Sequence, residues 1–281
     1  MKTYNLTLSC RNRKGIVAAV AGQIAHFDGN IVEAQQFDDP STGNFFMRVA
    51  FQAIREIRDF EQAFAPVVRQ FDLTYSLNAA DRRPKVLVLV SRFDHCLADL
   101  IYLMRLGELK MDCVGIVSNH PKSALKLTLG NEIPFHYLPV TPETKSQQEA
   151  KIKDLIEVTG AELVVLARYM QILSDRFSNY LYGRAINIHH SFLPGFKGAK
   201  PYHQAFERGV KIIGATAHYV TADLDEGPII AQDVELVTHK DTPEDLVRKG
   251  RDIERRVLAR ALSLHLENRI LLNGAKTVVF S

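Results

Sequence analysis

The 281-residue chain has no tryptophan and only three cysteines, Cys10, Cys96 and Cys113. An odd, widely spaced set argues against both a disulfide framework and a C-x-x-C metal site, and it suits a reducing cytoplasm. No apolar run approaches the ~20 residues that a membrane helix needs. The amino terminus, Met1-Lys2-Thr3-Tyr4, enters a strand pattern directly and shows no apolar signal core. An excess of one charge sign is lacking as well. Lys+Arg 35 against Asp+Glu 32 leaves +3, and the basic residues are spread over expected helix faces. That is no footprint for nucleic acid or a membrane surface. Neither a G-x-G-x-x-G nor a Walker phosphate loop occurs, and there is no H-E-x-x-H. The expectation is a soluble, cytoplasmic protein with no nucleic-acid or membrane partner and no metal.

What is present is a hydrophobic fraction of 46%, enough at this length for a full core and two domains. Thr3–Ser9 alternates as a strand, and Ile16, Val20, Ile24 and Phe27 recur at helical spacing. Ile31–Phe37 and Asn44–Phe51 read as strands on either side of a turn, Ile54–Phe71 as a helix and Asp72–Leu77 as a closing strand. Strand, helix, strand, strand, helix, strand is the split βαβ order of ferredoxin-like folds. Asn78–Pro84 is polar and ends on proline, so it reads as a linker between domains at 1–80 and 85–281. Lys85–Val90 is an unbroken apolar run, as in a strand buried on both faces. Strands at Cys113–Val117, Phe135–Leu138 and Glu162–Leu166 then alternate with helices at His95–Leu109 and Pro142–Thr159. A doubly wound, mostly parallel sheet is predicted, with ligands at the carboxyl ends of its strands.

The chemistry is concentrated between Arg184 and Asp233. Ala185–Leu193 alternates as a strand stopped by Pro194-Gly195, which places Asn187 and His189 on one face at its end. A second strand, Gly214–Val220, carries His218, and the loop after it carries Asp223, Asp225 and Glu226 before Gly227-Pro228. Amide and imidazole can donate hydrogen bonds to a developing oxyanion, while a carboxylate orients and deprotonates a nucleophile. Taken singly, these residues read as a turn cap, a core histidine and a loop acid. Three together at strand ends favour hydrolysis or transfer of an acyl group. A metallohydrolase built on His189, His190, His203 and His218 fits less well, because adjacent histidines on a strand point to opposite faces.

These segments resemble a known family. Asn187-Ile188-His189, Ser191-Phe192-Leu193-Pro194 and Phe196-Lys197-Gly198, followed by Gly214–His218 and Asp225–Ile230, are similar to the two linked motifs of the folate-dependent formyltransferases. The resemblance implies a catalytic trio of Asn187, His189 and Asp225, supported by His218. It further implies a substrate-side wall from Arg168, Tyr169 and Met170 and from the loop of Lys197 and Gly198. Ser91–Leu97, the first strand-to-helix turn, lacks the glycines with which the glycinamide ribonucleotide enzymes hold a phosphate, and it looks like the deformylase branch, in which water takes the formyl group. Lys14-Gly15-Ile16-Val17 and the element order resemble the ACT domain, a regulatory module that often binds amino acids between copies. Asn12, Gly15 and Ile16 would then face an effector, although Asn12 stands where such modules often have aspartate. The expected fold class is therefore α/β, an N-terminal ferredoxin-like (ACT) α+β domain ahead of a doubly wound formyltransferase-like domain. The implied substrate is 10-formyltetrahydrofolate, with no cofactor, a homo-oligomeric state, and a role in balancing one-carbon pools and supplying formate for purine biosynthesis. The readings that compete are formyl transfer to a small amine and a non-catalytic amino-acid sensor.

Overall fold

The computed structural model describes residues 1–54, 57–193 and 201–281. They form two compact units. The first opens with β1 (Lys2–Arg11), α1 (Ile16–His26), β2 (Asn30–Asp39), β3 (Asn44–Ala53), α2 (Ile57–Phe71) and β4 (Thr74–Ala79). Its four strands pair in the order β2-β3-β1-β4, all antiparallel, which is the split βαβ arrangement that the element order predicts. Alternation places Tyr4, Leu6 and Leu8 in the core. Phe60, Phe64, Val67 and Phe71 recur at helical spacing on α2 and close over the sheet. Phe60 is the hub, with ring centroids 5.1 Å from Phe51, 5.2 Å from Phe27 and 5.2 Å from Phe64.

The second unit spans Arg83–Leu266, with residues 274–276 grouped to it. It contains β5 (Lys85–Val90), α3 (His95–Leu106), β6 (Asp112–Ser118), β7 (Phe135–Tyr137), α4 (Lys145–Thr159), β8 (Leu163–Leu166), α5 (Asp175–Tyr180) and β9 (Ala185–His189). It continues with α6 (Pro201–Glu207), β10 (Ile212–Tyr219), β11 (Ile229–Leu236) and α7 (Pro243–Leu266). The seven-stranded sheet runs β11-β10-β9-β8-β5-β6-β7. Strands β5 to β9 are parallel, and β10 is antiparallel to both β9 and β11. From β5 the chain first builds outward to β6 and β7 and then returns to β8 on the other side, so a topological switch point opens between β5 and β8.

The central strands are apolar because both their faces are covered. Val86–Val90 are fully buried, with Ile152 and Ile156 of α4 in the cluster on one side. Helix α7 packs on β9, β10, β11 and α3. It begins with a reciprocal cap: the Thr242 hydroxyl accepts from the Asp245 amide at 3.2 Å, and the Thr242 amide donates to the Asp245 carboxylate at 3.1 Å. The chain closes with a hairpin of β12 (Ile270–Asn273) and β13 (Lys276–Val279). Residues 267–273 and 277–281 cluster with the first unit, so the second unit ends short of the Ser281 limit expected for it. Polar tethers account for this: Asn273 donates to Asp39 at 2.7 Å, and Arg269 lies 3.3 Å from Glu33, which also pairs with the buried Arg48 at 2.8 Å.

Candidate active site

The switch-point side of the second unit carries a cleft of about 320 Å³, within the range of small-molecule sites. Its walls include the segment after β8, the end of β9, and the loop after β10. Asn187 and His218 come together because β9 and β10 pair antiparallel with these two residues directly opposite. The imidazole of His218 turns Nδ1 toward the Tyr219 carbonyl at 2.8 Å and Nε2 toward the Asn187 amide nitrogen at 3.2 Å. With Nδ1 donating to the carbonyl, Nε2 can only accept, so the amide keeps its NH₂ end in place. Burial pushes the His218 pKa down, against the carbonyl and Asp225, which favour the proton, and keeps the ring in that neutral form.

His189 lies two residues beyond Asn187 on the same strand face. Its Nδ1 is 3.2 Å from Asp225 Oδ1, and His218 Nε2 is 3.8 Å from the same oxygen. The opposite imidazole nitrogen, His189 Nε2, is buried and has no hydrogen-bond partner among the described residues. Burial alone would raise the Asp225 pKa. The hydrogen bond and charge of His189, with His218 and His190 nearby, outweigh it and hold the carboxyl below its ordinary value.

The loop that delivers Asp225 is pinned at both ends. Val220 N–H donates to the Ala185 carbonyl at 2.9 Å, and Tyr219 N–H donates to the Pro228 carbonyl at 2.9 Å. Asp225 itself has φ 58, the left-handed region that aspartate tolerates better than most residues. At Gly227 the chain passes so close to β10 that an added Cβ would sit 1.7 Å from the Tyr219 carbonyl oxygen. Only glycine permits that approach, and it lies beside the carbonyl that orients His218.

Arg168, Tyr169 and Met170 all line the cleft. Met170 is half exposed, whereas Tyr169 is buried, with its hydroxyl donating to Gln148 at 3.2 Å and its pKa raised by burial to about 12. Lys197 and Gly198 lie outside the described residues. Asn12 is exposed in the first unit, Gly15 caps α1 at φ 94, and the Ile16 side chain is buried in the core. Any ligand at that turn would therefore meet the backbone rather than the Ile16 side chain.

Sequence reasoning missed a group behind the trio. The carboxylate of Glu254, in the middle of α7, is 2.7 Å from His95 Nε2, accepts from the Tyr202 hydroxyl at 2.7 Å, and lies 3.3 Å from Arg168 Nε. Burial opposes its charge, but the His95 hydrogen bond and the Arg168 charge keep its pKa low. Glycine at 250 makes room, since a Cβ there would lie 2.1 Å from the Tyr202 ring. Among the described residues, His95, Cys96 and Glu254 are the cluster of metal-ligand type, and the cation beside that carboxylate is the Arg168 guanidinium. His190 also differs from expectation. Its ring stacks on that of His189 at 5.2 Å and both line the cleft, because β9 ends at His189 and the strand alternation ends with it. Burial, together with Arg168 and His189, lowers the His190 pKa to about 4.

Doubly wound topology, a switch-point cleft and an Asn-His-Asp cluster at its base define a formyl transferase, and residues 84–262 match that family. The chain is 50% identical to the formyltetrahydrofolate deformylase of Corynebacterium sp. strain P-1, over 98% of this chain and 96% of that protein. A formyltetrahydrofolate deformylase crystal structure from Burkholderia mallei superposes with a TM-score of 0.95 at 52% identity, over all of both chains. Glycinamide ribonucleotide transformylase 1 from Symbiobacterium toebii gives 0.64 at 28% identity and covers 71% of this chain and 95% of its own. The chain belongs to the formyltetrahydrofolate deformylases.

Proposed function

We propose that the chain hydrolyses 10-formyltetrahydrofolate to formate and tetrahydrofolate, and so balances one-carbon pools and supplies formate for purine synthesis. The observation that carries the reading is the convergence of Asn187, His189 and Asp225 on one cleft, with His189 and Asp225 3.2 Å apart. The formyl carbonyl oxygen is received by the second N–H of the Asn187 amide and by a proton on His189 Nε2. Asp225, kept ionised, positions a water and draws off its proton. The water oxygen bonds to the carbonyl carbon, the C–N10 bond breaks, and N10 takes a proton from the His189–Asp225 pair. Preorganised donors of this kind contribute about 10²–10³ each to the rate.

The likeness to a glycinamide ribonucleotide transformylase keeps transfer to an amine as the second reading. A single-turnover reaction with 10-formyltetrahydrofolate and no amine separates the two. Formate equal to the enzyme sites is expected, and consumption that waits on an added amine would sink the hydrolytic reading. We also read the first unit as an ACT-like module that joins copies of the chain and takes an amino-acid effector near Asn12, Gly15 and the Ile16 backbone. Its strand order and the start of α1, where no side chain makes a cap hydrogen bond, support this. Calorimetric titration of the full chain with amino acids should show saturable heat, and its absence for all of them would reject the effector.

A further inference from the structure

Arg168 is 9% exposed, and its Nε and Nη1 have no hydrogen-bond partner among the described residues. A buried guanidinium whose Nη1 has no partner among the described residues carries a desolvation cost that its Nε–Glu254 ion pair offsets only in part. Its position bears on what those donors are for. Leu166, the last residue of β8, pairs with Asn187 of β9, and Arg168 follows two residues beyond the end of the strand. Both residues line the same cleft.

The arginine is held there with care. Its backbone has φ 64, and its carbonyl accepts from the Ser91 amide at 3.2 Å, while the Ser91 hydroxyl accepts from the Met170 amide at 3.0 Å. The guanidinium carbon lies 5.8 Å from the Phe93 ring centre. Glu254 sits 3.3 Å from Nε and supplies a countercharge, but that carboxylate is already engaged by His95 and Tyr202. The result is a held cation on the cleft wall, with an Nη1 donor that has no partner among the described residues.

We propose that Arg168 forms a subsite for the carboxylate product, accepting formate as it forms. This rests on the hydrolytic reading of the site and extends it. Transfer to an amine leaves the formyl group as a neutral amide. Hydrolysis instead places a new anion beside the Asp225 carboxylate, where like charges repel. Water contributes the second oxygen, the C–N10 bond breaks, N10 gains one of the water's protons, and formic acid releases the other to solvent to leave formate. A guanidinium fork matches a planar carboxylate, and its hydrogen bonds to that anion are charge-assisted.

The test measures formate binding rather than turnover, so it stands apart from the single-turnover assay. Inhibition by formate, and affinity for tetrahydrofolate, are compared in the full wild-type chain, Arg168→Lys and Arg168→Gln. In Arg168→Gln formate should bind at least tenfold more weakly, a larger loss than tetrahydrofolate suffers, and Arg168→Lys should fall between. Unchanged formate affinity in Arg168→Gln overturns the proposal, as does a parallel loss of both ligands, which would mark a purely structural arginine. Should Arg168→Gln fail to fold, the wild-type chain still decides. Nitrate, a planar anion, should compete with formate, whereas formamide, its neutral analogue, should not. Formamide competing as well as formate overturns the proposal.

Discussion

At the scale of single residues, the sharpest prediction concerns Asp225. Substitution by asparagine keeps the shape and suits φ 58, while it removes the charge and the proton acceptor. Asp225→Asn should stay folded with a modestly lower melting temperature and lose about 10²–10⁴ in kcat, the usual range for a positioned acid or base. A variant within a few fold of wild-type turnover in a stopped-flow assay would remove Asp225 from the chemistry. Asn187, His189, His218 and Asp225 were legible in the sequence because each stands in a short, regular motif. Glu254, His95 and Tyr202 were not. They come from three separate helices and meet only through packing, and Glu254 sits among the many charges of α7, most of them on its exposed side. A hint existed in Gly250, a glycine inside a long helix, where helix propensity alone would disfavour it.

Among elements, those with strong local signals were readable: the apolar β5 and the strand-helix order of the first unit. The antiparallel setting of β10 and β11 was not, because direction depends on what connects strands rather than on their composition. The stacking of His190 on His189 depended on where β9 stops, and strand ends are the least legible part of any periodic pattern. The loop from Val220 to Gly227 is where an element's shape bears on the proposed chemistry. Gly227→Ala must push Tyr219 away or shift the loop, because no side chain fits 1.7 Å from a carbonyl oxygen. Overpacking of this kind costs about 1–3 kcal/mol. The variant should melt earlier and lose turnover more than substrate affinity, since His218 and Asp225 flank the displaced strand. A Gly227→Ala protein with wild-type kcat would show that the loop geometry is not needed.

For the whole molecule, two desolvated histidines, His190 buried and His265 partly buried, set a pH dependence of stability. His190 and His265 each have a folded pKa of about 4, lowered chiefly by burial. In the unfolded chain each would titrate near ~6.5. Below that value the unfolded state binds protons that the folded state refuses, so stability is full above it and falls with pH until the folded value is reached. Each histidine contributes up to about 1.4 kcal/mol per pH unit across that window. Asp225 and Glu254 are held below ordinary carboxylate values, so their own losses begin only at lower pH. Urea midpoints measured through the window should drop steadily on acidification, and a flat profile would contradict the burial of these rings. The break between the two units falls at Arg82–Arg83, inside the polar 78–84 segment, whereas the pairing of the terminal hairpin with the first unit has no local signal, since nothing local encodes so distant a partner.

That hairpin ties the order of synthesis to the order of maturation. Asp39 receives Asn273 from 234 positions downstream, and Glu33 receives Arg269 from 236. The unit that leaves the ribosome first thus waits for some of the last-made residues before its polar edge is satisfied, and a nascent chain halted early would present that edge unfinished.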